Sequence, residues 1–327
     1  MVTLSTKKIV LLSIFSVTIT TQSSTETSIQ TNSTVSTTPF DPSHPSNVRI
    51  LVLAKRLRNS VTFSGDGEIL ERTFVFAPSQ NFADTSAYAV VQGTMYIFGG
   101  YSDSHKIAKL ESCRLSEISI RLINSYEYAP AALAIENGHK ALICFAQNHR
   151  EKCEIFDTVE STSTHSTKYE HHFGGFGYYN GQPTTVGSAF YWSFQKVETY
   201  SSSGWNELAD HPKKIYRHTL TGLDSGAMLM VGGRDAESEE NRDIWLLKEG
   251  IWDLIGYLQH SQAEASALKV GDYIYIVPRE IEDSDGLLPI ERIQVSNDEV
   301  IETKVIARLI DKSTLPVVFE IEIDSCF

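Results

Sequence analysis

The sequence predicts an all-β protein in which a four-stranded unit is repeated around an axis, the arrangement of a β-propeller. Three observations lead there. Apolar segments of strand length recur at a nearly even interval from Arg49 onward. Each is flanked by turn residues and by further short runs rich in Val, Ile, Thr and aromatics, leaving room for four strands per interval. No stretch beyond residue 47 holds an i, i+3, i+4, i+7 apolar pattern for three turns, so helices are not the building material.

Taken in chain order, residues 1–22 read as a secretory signal peptide. Lys7 and Lys8 precede an apolar run from Ile9 to Ile19, which small polar residues follow. That run is short for a bilayer span, and cleavage is expected between Thr18 and Ser24. Residues 23–46 read as a disordered Ser/Thr/Pro-rich linker, because so little apolar surface cannot offset the entropy of ordering. Asn32 opens the sequon Asn32-Ser33-Thr34 within it, a glycosylation candidate in an exported chain. Pro39, Pro42 and Pro45 then stiffen the entry to the folded region, residues 47–327.

The second strand of each unit is the clearest. Matching segments start at Arg49 (RILVLA), Met95 (MYIFGG), Ala141 (ALICFA), Ala189 (AFYWSF), Met228 (MLMVGG) and Ile274 (IYIVPR), at intervals of 46, 46, 48, 39 and 46 residues. Ahead of five of them lies a first strand ending in a turn: YAVVQG, AALAIENG, GYYNGQ, HTLTGLDSG and ASALKVGD. Third strands are expected in KLESCRL, CEIFDTV, KVETYSS, DIWLLKEG and IERIQVSN, and fourth strands in ISIRLI, GWNELA and GIWDLIGYL. Two stacked sandwiches would also use short strands, but even spacing along the whole region favours radial repetition.

The first unit lacks its innermost strand, since the Ser/Thr/Pro tract stops just before Val48. PVVFEIEI, from Pro316 to Ile323, is a surplus strand at the other end. Pairing it into the first unit closes the ring and removes an exposed edge, which predicts six blades.

These residues resemble the kelch-repeat β-propellers. The resemblance rests on Gly99-Gly100 and Gly232-Gly233 closing second strands, and on Tyr200 with Trp205 and Trp245 with Trp252 in third and fourth strands. It covers the chain from residue 48 on. Only two of the six units keep both glycines; Cys144-Phe145, Trp192-Ser193 and Val277-Pro278 stand in their place elsewhere. The resemblance implies a ring whose connecting loops present a surface to partners.

Composition narrows the function. With 28 Lys+Arg against 41 Asp+Glu the chain carries a net charge of −13, which argues against nucleic acid and anionic membranes as partners. Four cysteines in an exported chain point to disulfides: Cys144 and Cys153 across one hairpin, with Cys113 and Cys326 left to pair with each other or between molecules. His165, His171 and His172 lack zinc spacing and are expected at the surface or in turns. The acidic run Glu280, Glu282, Asp283, Asp285 lacks an EF-hand spacing, and Ser64-Gly65-Asp66-Gly67 reads as a hairpin turn. No nucleophile elbow, zinc-protease helix or phosphate loop is present. The sequence therefore assigns no catalytic, metal or cofactor-binding residue and no cofactor. The reading is a secreted, non-enzymatic module binding an extracellular protein or glycan; the rivals are an extracellular glycosidase- or oxidase-like enzyme and a glycosylated matrix component.

Overall fold

A computed structural model describes residues 44–54, 56–146, 148–278, 288–309 and 316–321. They form six four-stranded antiparallel sheets with no helix longer than a single 3-10 turn. Blade 1 opens with β1 (Arg49–Leu53), β2 (Val61–Ser64) and β3 (Ile69–Arg72), and blade 2 holds β4 (Ala87–Val91), β5 (Thr94–Phe98), β6 (Ile107–Glu111) and β7 (Arg114–Glu117). Blade 3 holds β8 (Ala131–Ile135), β9 (Lys140–Ala146), β10 (His149–Phe156) and β11 (Ser161–Ser163). Blade 4 holds β12 (Gly175–Tyr179), β13 (Gln182–Val186), β14 (Val197–Ser201) and β15 (Gly204–Glu207). Blade 5 holds β16 (Thr219–Gly222), β17 (Met228–Val231), β18 (Asp243–Lys248) and β19 (Ile251–Tyr257). Blade 6 holds β20 (Ser266–Val270), β21 (Tyr273–Val277), β22 (Leu288–Ser296) and β23 (Glu299–Leu309), after which β24 (Val317–Glu320) returns to blade 1.

The expected closure is present. β24 pairs antiparallel with β1, Ile50 opposite Glu320 and Leu53 opposite Val317, and so becomes the inner strand of blade 1. Adjacent blades meet at apolar seams, six of them, in place of one central core. Each seam is built largely from second strands. Leu51 and Leu53 face Met95 and Ile97 between blades 1 and 2, while Ile50 and Val52 face Tyr275 and Val277 between blades 1 and 6. A strand sandwiched between two neighbours is buried on both sides, which is why these segments read as continuous apolar runs.

Two expected strands fall elsewhere. In blade 4 the second strand is β13, QPTTV, whereas AFYWSF from Ala189 lies in the loop that follows it. Pro183 and two buried threonines disguise β13 as a loop; Thr184 satisfies its hydroxyl on Thr199 Oγ1 at 3.0 Å. In blade 2, KLESCRL is not one strand but the β6–β7 hairpin, turning at Ser112 and Cys113 with φ of 46° and 52°. Two consecutive left-handed residues make the tight turn that suits strand twist. ISIRLI then becomes the connection to blade 3, with Ile118 and Ile120 packed against its seam.

Three buried glutamates hold the connections between blades. Glu154 on β10 accepts from the backbone N–H groups of Ile123 and Asn124 at 2.8 and 3.1 Å. Glu198 on β14 does the same for Lys168 and Tyr169 at 2.9 and 3.0 Å, and Glu291 on β22 for Gln259 and His260 at 2.7 and 2.8 Å. Each therefore fixes the loop that delivers its own blade's inner strand, through charge-assisted hydrogen bonds in a dry setting.

Candidate functional site: the loop face around the channel

The loops entering the inner strands and those joining second to third strands emerge at the same end of every sheet, because neighbouring strands are antiparallel. Two residues before five of the inner strands the backbone turns left-handed at a residue other than glycine: Thr85, Ala129, Phe173, Arg217 and Glu264, with φ of 58°, 50°, 59°, 58° and 55°. Such a conformation costs of order 1 kcal/mol or more per residue and is kept only where surrounding structure enforces it. Here the enforcement is partly mutual. Arg217 N–H donates to the Phe173 carbonyl at 2.8 Å, and Glu264 N–H to the Arg217 carbonyl at 2.7 Å.

Ala129, Phe173, Arg217 and Glu264 stand at the mouth of a cavity of about 290 Å³ lined by the inner strands of blades 2 to 6. Its walls are small, with Ala87, Ala89, Ala131 and Ala134 among them. At the mouth the Arg217 guanidinium bonds the Glu264 carboxylate at 2.6 Å and lies over the Phe173 ring at 4.4 Å. His218 lines the same cavity; it is buried, and neither ring nitrogen has a hydrogen-bond partner among the described residues.

From the mouth, rings extend in two directions. Phe173 meets Tyr128 at 5.4 Å, and Tyr128 meets Tyr101 at 5.3 Å. On the other side Arg217 sits over Tyr216, which meets Phe194 at 6.0 Å; Phe194 meets Tyr191 at 6.2 Å, and Tyr191 meets Trp192 at 6.1 Å. Tyr101, Tyr191 and Trp192 are 55%, 72% and 77% exposed. Two further arginine–glutamate pairs flank the row: Arg150 with Glu170 at 3.5 Å, its guanidinium 3.6 Å from the Phe190 ring, and Arg234 with Glu240 at 2.6 Å.

Burial sets the protonation of the groups beneath. It pushes the imidazole of His172 down to about 4, with Arg150 and Arg217 adding to the effect, and that of His218 down to about 3. It also pushes His211 down to about 4, where the ring is held edge-on between Trp245 at 5.0 Å and Trp252 at 4.8 Å. The Lys106 amine, buried beside Ser86 and donating to the Gly99 carbonyl, is drawn down to about 8 by the same desolvation.

The histidines correct the sequence reading. His165 is exposed as expected, but His171 and His172 are 0% and 3% exposed. His171 bridges the Gly187 carbonyl at 2.8 Å and Glu198 at 2.9 Å, locking the blade 4 entry loop; His172 meets the Phe145 carbonyl at 3.3 Å across the seam. A run of polar residues around them concealed that burial.

The other singled-out residues are placed as follows. Gly99 and Gly232 carry φ of 64° and 65° where second strands end, followed by Gly100 and Gly233. Tyr200 and Trp205 pack at the seam of blades 3 and 4, and Trp245 and Trp252 at that of blades 4 and 5. None of these lies at the channel mouth. Cys144 and Cys153, cross-strand partners on β9 and β10, form a disulfide, and Cys113 is disulfide-bonded as well. Cys326, Asn32 and the acidic run from Glu280 to Asp285 lie outside the described residues. Ser64-Gly65-Asp66-Gly67 is the β2–β3 turn, tied to blade 6 through Asp66 and Arg292 at 2.9 Å. The left-handed ring and the three glutamates were missed. The glutamates left a trace, a lone acid inside an apolar third strand in CEIF, VETY and IERI, whereas TSA, APA, FGG, RHT and EAS share no signature.

No protein-family profile and no curated protein matches the sequence. Among solved structures, that titled "Structure of YjhT" superposes with a TM-score of 0.60 at 12% identity, over 76% of this chain and 91% of that one. The likeness is one of fold: the chain is a six-bladed β-propeller, with which a kelch-type repeat is compatible.

Proposed function

We propose that the protein is a secreted, non-enzymatic binding module that engages an extracellular partner through the loop face around the channel. The observation that carries this reading is the gathering of exposed rings, Tyr101, Tyr191 and Trp192, on the face that also bears the left-handed residues. Clustered exposed aromatics commonly mark binding surfaces. Glu264 is the one acidic side chain lining the channel cavity among the described residues, and it is committed to Arg217. Glycoside hydrolysis calls for two opposed carboxylates, so this mouth suits recognition better than cleavage. The Cys144–Cys153 disulfide supports export, because such bonds persist in oxidising compartments. On this reading residues 1–22 are the address, residues 23–46 a stalk glycosylated at Asn32, and Cys113 bridges to Cys326. No helix among the described residues is long and apolar enough to cross a membrane.

The test uses the full secreted chain as bait in native extracellular fluid. A Tyr101→Ala/Tyr191→Ala/Trp192→Ala variant is expected to lose captured partners at an unchanged melting temperature. Lys248→Ala/Lys269→Ala, at the opposite end of blades 5 and 6, should retain them. Equal capture by all three proteins refutes the assignment of the face.

A further inference from the structure

The loop face has a chemical character beyond being aromatic. Three of its arginines are each matched by a glutamate: Arg150 with Glu170, Arg217 with Glu264, and Arg234 with Glu240. Charge cancels within each pair. What the pairs offer is donors and acceptors side by side. A guanidinium presents several N–H groups in a plane and a carboxylate accepts through two oxygens, which matches neighbouring hydroxyls able both to give and to take a hydrogen bond.

Between the pairs stand the rings. The apolar C–H face of a sugar packs on an aromatic plate while its hydroxyls turn outward to polar groups. A peptide would need apolar pockets for its side chains, and a lipid surface a continuous greasy patch. An alternation of plates and neutral donor–acceptor pairs fits a polyol best. Size permits it: about 290 Å³ holds roughly ten waters at ~30 Å³ each, room enough for one sugar ring. His218 contributes to the cavity wall, with its ring buried behind it.

We propose that the loop face is a binding cleft for a neutral oligosaccharide. One sugar residue enters the channel mouth to meet Arg217 and Glu264, and its neighbours stack along Phe173, Tyr128 and Tyr101. This rests on the reading of the loop face as the binding surface and names its ligand class.

The full chain is titrated calorimetrically with cellohexaose, chitohexaose and mannohexaose, and with oligogalacturonate as the acidic counterpart. Saturable binding of at least one neutral hexamer is expected, insensitive to severalfold added salt. Tyr128→Ala should weaken it roughly tenfold through the lost stacking, and Arg217→Lys, which keeps the charge but loses the planar fork, by a similar factor. Tyr101→Ala, at the exposed end of the same row, serves as a second variant should Tyr128→Ala unfold. The proposal is overturned if no neutral hexamer binds, if only oligogalacturonate binds with a steep salt dependence, or if Tyr128→Ala and Tyr101→Ala bind as the parent does. Capture by the loop face that survives enzymatic deglycosylation of the fluid also overturns it, yet leaves the broader assignment of the face standing.

Discussion

At the end of a second strand the chain repeats one backbone event. Gly99, Gly187 and Gly232 turn left-handed with φ of 64°, 64° and 65°, and Phe145 holds the same turn at 68°. The following N–H then reaches the loop entering the next blade: Gly100 to the Tyr126 carbonyl at 2.7 Å, Ser188 to Ile215 at 3.2 Å, Gly233 to Gln262 at 2.7 Å. A side chain has no room there, since a Cβ on Gly187 would stand 2.2 Å from the Ile215 oxygen. Gly187→Ala is accordingly expected to destabilise by about 3 kcal/mol or more, adding overpacking to conformational cost. Gly181, in an open turn with φ of 72° and no atom within 4 Å of where a Cβ would stand, should lose only about 1 kcal/mol as alanine. Urea denaturation of the two variants separates the terms, and equal losses would show that crowding plays no part. Two of these glycines were legible in the sequence because each is doubled. Gly187 was not: Ser188 follows it, and the nearby aromatic run AFYWSF attracted the strand assignment instead.

The decisive element is β24. Without it β1 would present an open edge toward the channel, and the seam of blades 1 and 6 would lose Val318 from among its buried residues. Removing the chain beyond Thr314 is expected to abolish cooperative unfolding. A truncated protein that melted at the parental temperature would show that closure does not depend on this strand. Its role was readable because strand-forming residues in excess of the sixth repeat had one unfilled place to go. The β6–β7 hairpin was harder to see, since its turn uses Ser112 and Cys113, residues with no strong turn preference, held left-handed by the ladder on either side.

Across the whole molecule stability is shared among six seams, and three buried histidines tie it to acidity. The imidazoles of His172 and His211 sit at about 4 and that of His218 at about 3, all below the value near 6.5 of an exposed ring. The unfolded chain therefore binds protons first as pH falls. Stability is full above pH ~6.5 and declines from there toward the folded values, at up to about 1.4 kcal/mol per pH unit per group. Thermal melts between about pH 7.5 and 4.5 should show a steady fall, lessened in His211→Gln; a flat profile contradicts the burial argument. The architecture was largely legible at this scale, because a ring of like units imposes an even beat on apolar segments. The loop face was not. Its members come from separate connections, from Tyr101 to Glu264, and meet only once the ring has closed.

The pairing of Ile50 with Glu320 joins residues about 270 positions apart. During synthesis the first blade must wait for almost all of the described chain to leave the ribosome before its inner partner exists. Until then β1 is a sticky strand in search of a neighbour, and a passing copy could supply one. The nascent protein should accordingly lean on chaperones late in translation, with a slow final step when the circle shuts.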